Sequence, residues 1–222
     1  MQQRVPSVAH LTIKSVTLQE CVELHRQTLS QLHKFAQRKA MFTYAGSICG
    51  WHSSHFIQNS TFQFSMEKVQ PYYSADQIGE RVWAVLCDPD QYAHLFSTAV
   101  GMKCYVLQTI DADNFVVFHE FRTMNPLEEH QVIVRTILLV SRVRSESESF
   151  LIAATSLDQD KWVLEDMTTS PQDTVFWSYL SCYMQYTDVP ESSGCACLFA
   201  GHMPIIGSNV GFWTLEMVQL AV

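Results

Sequence analysis

An α+β fold built on a single antiparallel sheet is what this sequence predicts, and three observations carry the prediction. Between Ser74 and Phe96 two short apolar-faced helical segments are separated by Pro89. On both sides of that break the chain runs as alternating apolar and polar segments punctuated by polar turns, the rhythm of hairpins. Ahead of everything stands one amphipathic helical segment. A run of helices followed by a run of strands places the chain in the α+β class.

Residues 1–40 read as an N-terminal arm and helix, with residues 1–14 a loose lead-in. Thr17 and Glu20 form a capping-box pattern, and Leu18, Val22, His25, Leu29, Leu32 and Ala36 follow at alternating four and three spacing. That stripe supports two readings: a helix packed on its own domain, or one seam of a dimer through residues 17–39. Residues 41–222 read as the main domain. Gly46 to Val69 alternates as two strands turning at Asn59-Ser60, with Ile48, Trp51, Phe56, Phe62, Phe64 and Met66 as core.

Ser74 caps the first central helix, and Asp76 sits where the positive end of the helix dipole favours a carboxylate. Ile78, Val82, Val85 and Leu86 recur at helical spacing, widened by Trp83 and Ala84. Pro89 has no amide hydrogen and forces Asp88 out of helical geometry, so the helix ends near Cys87 and a short second one carries Tyr92, Leu95 and Phe96.

Three hairpins follow: Met102–Ile110 with Phe115–Arg122, Val132–Val143 with Phe150–Leu157, and Thr174–Tyr186 with Cys195–Met203. Added to the first two strands they make about eight. The connection Gln159–Asp173 carries Trp162, Val163, Leu164 and Met167, as either a flap over a cavity or a plug on the sheet. Phe212–Val222 is apolar around most of its circumference, so a helix there must be covered on most sides.

Composition bounds the function. The chain has 222 residues, 47% of them apolar and only 16% charged, against roughly 25% charged in ordinary soluble domains. With 14 Lys and Arg against 22 Asp and Glu, the net charge of -8 carries no electrostatic footprint for nucleic acid. No apolar run reaches the roughly 18 residues of a membrane span and no signal pattern opens the chain, which predicts a cytoplasmic protein without stable membrane insertion. Seven cysteines, an odd number without framework spacing, read as reduced core thiols. No cofactor motif is present, and Cys49, His52 and His55 lack the further ligand a metal site requires.

The stretch SADQIGERVWAVLCDPDQYAHLF resembles the helix pair of START-like, helix-grip (Bet v-type) domains. The stretch VIVRTILLVSRV, with Arg135 inside an apolar strand, looks more narrowly like the START-like domains of the oomycete mating-specific protein family. The resemblance covers roughly Ser47 to Val222. It implies a curved antiparallel sheet gripping a C-terminal helix, with a lipid or other hydrophobic small molecule between them. Two alternatives stand beside a binding module: a ligand-free scaffold acting through its N-terminal helix, and a cyclase- or isomerase-like enzyme of the same fold.

Candidate ligand contacts follow from charge and parity. Arg135 shares a strand face with Ile133, Ile137 and Leu139, so its guanidinium needs an anionic or carbonyl partner. His119 and Glu120 on the preceding strand are the nearest, and their opposite parity lets only one reach it. The pair either fixes strand register or meets a ligand head group. Trp177, Tyr179 and Tyr183 share a second strand face that offers apolar surface with polar tips. Phe212, Trp213 and Met217 supply the terminal helix, and His202 is a rim residue. No catalytic residue is assigned.

Overall fold

The computed structural model describes residues 11–95, 101–124, 131–145, 149–167, 169–170 and 172–205. Helix α1 spans Leu18–Arg38 and is followed by strands β2 (Thr43–Ile48), β3 (Trp51–Gln58) and β4 (Thr61–Gln70). Helices α2 (Ala75–Cys87) and α3 (Pro89–His94) lead into β5 (Lys103–Thr109), β6 (Asn114–Met124), β7 (Gln131–Ser145) and β8 (Ser149–Ser156). A single turn, α4 (Gln159–Trp162), precedes β9 (Val163–Glu165), β10 (Thr174–Trp177), β11 (Ser181–Asp188) and β12 (Cys195–Pro204). Strand β1 is Thr12–Ile13.

Ten strands form one curved sheet, in the order β2-β3-β4-β12-β11-β8-β7-β6-β5 with β10 beside β7. The α2–α3 connection carries the chain from β4 to the far edge at β5. Strands then fill the sheet inward until β12 closes against β4, pairing Cys195 with Gln70 through Pro204 with Thr61. Helix-grip architecture of the α+β class is therefore what the sequence folds into.

Three corrections accompany that agreement. Gly46 to Val69 makes its two strands from β3 onward, but Cys49 and Gly50, at φ +50° and +80°, turn the chain once more and add β2. The expected single strand Thr174–Tyr186 is broken. Strand β7 is longer than β8 can cover, so β10 pairs parallel with its first part, Thr174 opposite Val132 through Trp177 opposite Arg135. The chain then crosses 178–180 to become β11 beside β8. Thr136 Oγ1 donates to the Ser178 carbonyl (2.9 Å) and Ser156 Oγ accepts from the Leu180 amide (2.6 Å), so the groups freed at the break are satisfied.

Thirdly, the lead-in is not loose throughout: Thr12–Ile13 pairs with β9, and Leu11 and Ile13 are buried. With Trp162 and Leu157 they cover the sheet beneath α1, so the 159–167 segment is a plug rather than a flap.

Capping explains where the helices start. Thr17 Oγ1 accepts from the Glu20 amide (3.2 Å) while Glu20 Oε2 accepts from the Thr17 amide (2.9 Å). Ser74 and Gln77 repeat the arrangement on α2 at 3.2 and 3.0 Å. Asp88 Oδ1 accepts from the amides of Asp90 and Gln91, both at 3.1 Å, which opens α3 right after the proline break. Among the described residues no helix is long and apolar enough to cross a membrane.

Candidate functional site

The sheet has two differently furnished faces. Its α2 side presents Phe62, Phe64 and Met66 of β4, Phe115, Val117 and Phe121 of β6, and Phe150 and Ile152 of β8, with Trp83 and Tyr92 pressed on them from the helices. Gly79 lets α2 sit flush, because a Cβ there would lie 2.4 Å from the Phe150 ring. Asp188 at the end of β11 anchors the helix start by accepting from the Ala75 amide at 2.6 Å. Trp83 meets Phe115 edge-on at 5.1 Å, and Tyr92 of α3 stacks on His119 at 4.9 Å.

The groups buried around His119 are neutral at pH 7, while further along β7 Arg142 and Arg144 pair with Glu80 of α2 and lie over the Trp83 and Phe150 rings. Desolvation pulls the His119 imidazole down to about 3 and pushes the Cys104 and Cys182 thiols up to about 12. The same burial, helped by neighbouring thiols, raises the Tyr92 and Tyr186 hydroxyls further above their ordinary value. Around this neutral centre Ile78, Val82, Leu86, Val106, Val132 and Leu180 pack on the cluster while staying partly exposed.

The opposite side carries charge. Arg135 and Glu120 face each other across β6 and β7, both fully buried, with Arg135 Nε donating to Glu120 Oε2 at 3.1 Å. Arg135 Nη1 donates to Asp166 Oδ1 at 3.0 Å and to the Met167 carbonyl at 3.4 Å. Arg122 Nε reaches the other Glu120 oxygen at 2.8 Å. Nη2 of Arg135 has no hydrogen-bond partner among the described residues.

The expected contacts therefore divide between the faces. Glu120, not His119, is the residue that shares Arg135's face, and among the described candidates His119 is the one that meets α3 on the α2 side. Trp177 packs toward Phe118 at 6.2 Å on the Arg135 side, and Tyr183 meets Phe35 of α1 edge-on at 5.9 Å. Tyr179 is exposed in the 178–180 crossing beside Asp158 and Asp160. Phe212, Trp213 and Met217, with the whole expected terminal helix, lie outside the described residues. Sequence reasoning missed Tyr92 and Cys104 as neighbours of His119, and Cys182 as a neighbour of Tyr92. Tyr92 carried a signal: it is the aromatic one turn after the Asp88-Pro89 cap, on the side of α3 that meets the sheet.

No protein-family model matches this sequence, and no curated protein matches it. Solved structures do. Human StAR-related lipid transfer protein 5 aligns with a TM-score of 0.61 over 90% of this chain and 92% of its own, at 13% identity. The fold is START-like. Human STARD10 gives 0.57 over 93% of this chain and 79% of its own, at 11% identity. The human StarD13 (DLC2) lipid transfer and protein localization domain gives 0.55 over 85% and 94%, also at 11%. At these identities the likeness is one of architecture.

Proposed function

We propose that this START-like chain binds a lipid or other hydrophobic small molecule against the α2 side of its sheet, without catalysing a reaction on it. The observation that carries the proposal is the neutrality of that face around His119. His119, Tyr92, Tyr186, Cys104 and Cys182 are buried there without a charge among them, inside a rim of partly exposed aliphatic side chains. Such a surface offers an apolar ligand contact area and a few uncharged hydrogen-bonding groups to orient it. The names of the similar structures, lipid transfer proteins and domains, support the same reading. The strand VIVRTILLVSRV keeps its narrower likeness to the oomycete mating-specific family as part of this proposal. Residues 212, 213 and 217 complete the ligand wall in it, whereas Arg135 and Glu120 serve register.

Native mass spectrometry of the purified chain, before and after delipidation, tests the reading, followed by titration with a fluorescent fatty-acid probe. A co-purifying apolar adduct and saturable probe uptake are expected. Leu180→Glu, which puts a carboxylate on the neutral rim, lowers uptake at least tenfold. Repeated recovery of an empty chain that takes up no probe overturns it.

A second reading has its own observation. Leu18, Val22 and Leu29 are about half exposed on the outer side of α1, while Cys21 and Thr28 face the sheet. They suit a homodimer through residues 17–39, the scaffold role. Sedimentation of wild type against Leu18→Glu/Val22→Glu/Leu29→Glu decides it, since deleting α1 would uncover the sheet. A monomer in both sinks the dimer.

A further inference from the structure

On the α1 side, at the sheet end away from the charged cluster, the last turns of α1 and the β3–β4 turn enclose an open groove of about 300 Å³. Its lining is unlike the rest of the molecule. Lys34 and Arg38 project into it from α1, His202 of β12 and Gln63 of β4 form its floor, and Gln31 and Asn59 stand on opposite walls. Among the described residues four amide side chains line the groove and no carboxylate does. In a chain of net charge -8 that absence is notable. Lys34 and Arg38 have no carboxylate partner among the described residues, as is also true of Lys68, Arg81 and Lys103, whereas Lys14, Arg26, Arg122, Arg135, Arg142 and Arg144 do; Lys34 and Arg38 are the two that share one groove. Glu67, the acid of β4 on this face, is taken by Lys39.

The walls are fixed. Asn59 and Ser60 adopt φ +48° and +58° in the tight turn of the hairpin, and the Ser60 carbonyl accepts from the Ile205 amide at 2.9 Å, tying that turn to the end of β12. Gln31 is held from the sheet by Ser181 Oγ, which donates to its Oε1 at 3.3 Å. Basic residues near a helix C-terminus also suit the helix dipole, but the dipole does not call for a facing wall of amides.

We propose that this groove binds a small phosphate ester. Arg38 offers a planar fork matched to phosphate oxygens and Lys34 a compact charge, while amide groups of Gln31, Asn59 and Gln63 supply neutral donors. Phe35 is the one apolar side chain among the described lining residues, so the groove favours a polar head over an acyl chain, and the overall negative charge disfavours long polyanions. A volume at the low end of the roughly 300–1,000 Å³ of small-molecule sites suits a phosphorylated sugar or polyol. Such a group comes either free in solution or as a lipid head group. The site is independent of the hydrophobic face proposed above, which lies on the other side of the sheet.

Calorimetric titration of the full chain with inositol 1,4,5-trisphosphate, which has no acyl chains, tests the groove by itself. Saturable one-to-one binding is expected, weakened at least tenfold by Lys34→Gln/Arg38→Gln. Both side chains are exposed, so that variant folds, and Arg26→Gln/Lys161→Gln, at two exposed positions outside the groove lining, serves as the matched control pair. No binding, or equal loss with the control pair, overturns the proposal. Flotation with phosphatidylcholine vesicles containing phosphatidylinositol 4-phosphate separates the sources. Wild type floating while the double variant does not identifies a head group, and trisphosphate binding without flotation identifies a free phosphate ester.

Discussion

Glu120 and His119 are neighbours on β6, yet the first is buried as a charge and the second as a neutral ring. On the α1 side, Glu120 sits between Arg135 at 3.1 Å and Arg122 at 2.8 Å, and the ionised forms stabilise one another. On the α2 side, Tyr92 covers His119 with an aromatic ring, no counter-ion stands beside it among the described residues, and desolvation keeps the imidazole unprotonated. One residue of strand parity separates a face that locks register from a face that an apolar molecule can occupy. A buried charge pair forbids slippage because a one-residue shift would send both charges across the sheet. A neutral face makes no such demand, and can exchange side-chain contacts for ligand contacts.

The largest expected effect comes from breaking the charged side. Glu120→Leu leaves the Arg135 guanidinium, 1% exposed, with only the partly exposed Asp166 carboxylate. Removing one partner of a buried pair costs about 3–5 kcal/mol, read as a fall in the urea midpoint. Glu120→Leu/Arg135→Met recovers most of that loss, and uptake of the fluorescent fatty-acid probe per folded molecule stays at the wild-type level in both. A loss of uptake larger than the loss of folded protein would put Arg135 in the ligand site and erase the contrast between the faces.

The neutral side responds to acid instead. An imidazole near 3 in the fold and near 6.5 when unfolded binds its proton in the unfolded chain first. Its contribution is therefore complete above about pH 6.5 and is lost as pH falls toward 3. At 1.36 kcal/mol per pH unit, about 2–3 kcal/mol is gone by pH 4.5. His119→Phe keeps a ring for Tyr92 and removes the titration. The stability difference between wild type and His119→Phe should thus shift against wild type by that amount between pH 7 and pH 4.5. A difference that stays constant with pH would mean that His119 is solvated or paired.

Much of this division is legible in the sequence. Alternation puts Glu120 and His119 on opposite sides, because strand geometry allows only two, so only one of them can meet Arg135, and the pairing of β6 with β7 decides that it is Glu120. What alternation does not say is which side the helices cover, and so the aromatic residues Trp177 and Tyr183, right in parity, were expected beside a ligand and instead meet Phe118 and Phe35. The break at 178–180 is silent for a similar reason. Phe176, Leu180, Cys182 and Met184 keep one parity through it, and the parallel partner of β10 lies about forty residues upstream in β7, where no local signal reaches. Helix starts at Thr17, Ser74 and Asp88 are legible because each is decided by atoms within three residues. The groove at Lys34 and Arg38 is not, since its walls come from α1, the β3–β4 turn and β12.

The smallest effect concerns how tightly the neutral face is closed. In Gly79→Ala the new methyl must fit 2.4 to 2.7 Å from atoms of the Phe150 ring, itself fully buried. Neither ring nor backbone can yield there cheaply, so α2 lifts. Overpacking of this kind costs about 1–3 kcal/mol, and the gain of up to about 1 kcal/mol from replacing a helical glycine by alanine offsets only part of it. A net loss of about 1 kcal/mol is expected, and Phe150→Leu in the same chain should restore most of it, a coupling that a double-mutant cycle isolates. Because α2 roofs the neutral face and touches nothing on the other, the lifted helix should speed dissociation of the fatty-acid probe while leaving trisphosphate binding in the α1 groove unchanged. Equal changes at both sites would mean that the two faces move as one body, and that the sheet does not insulate them.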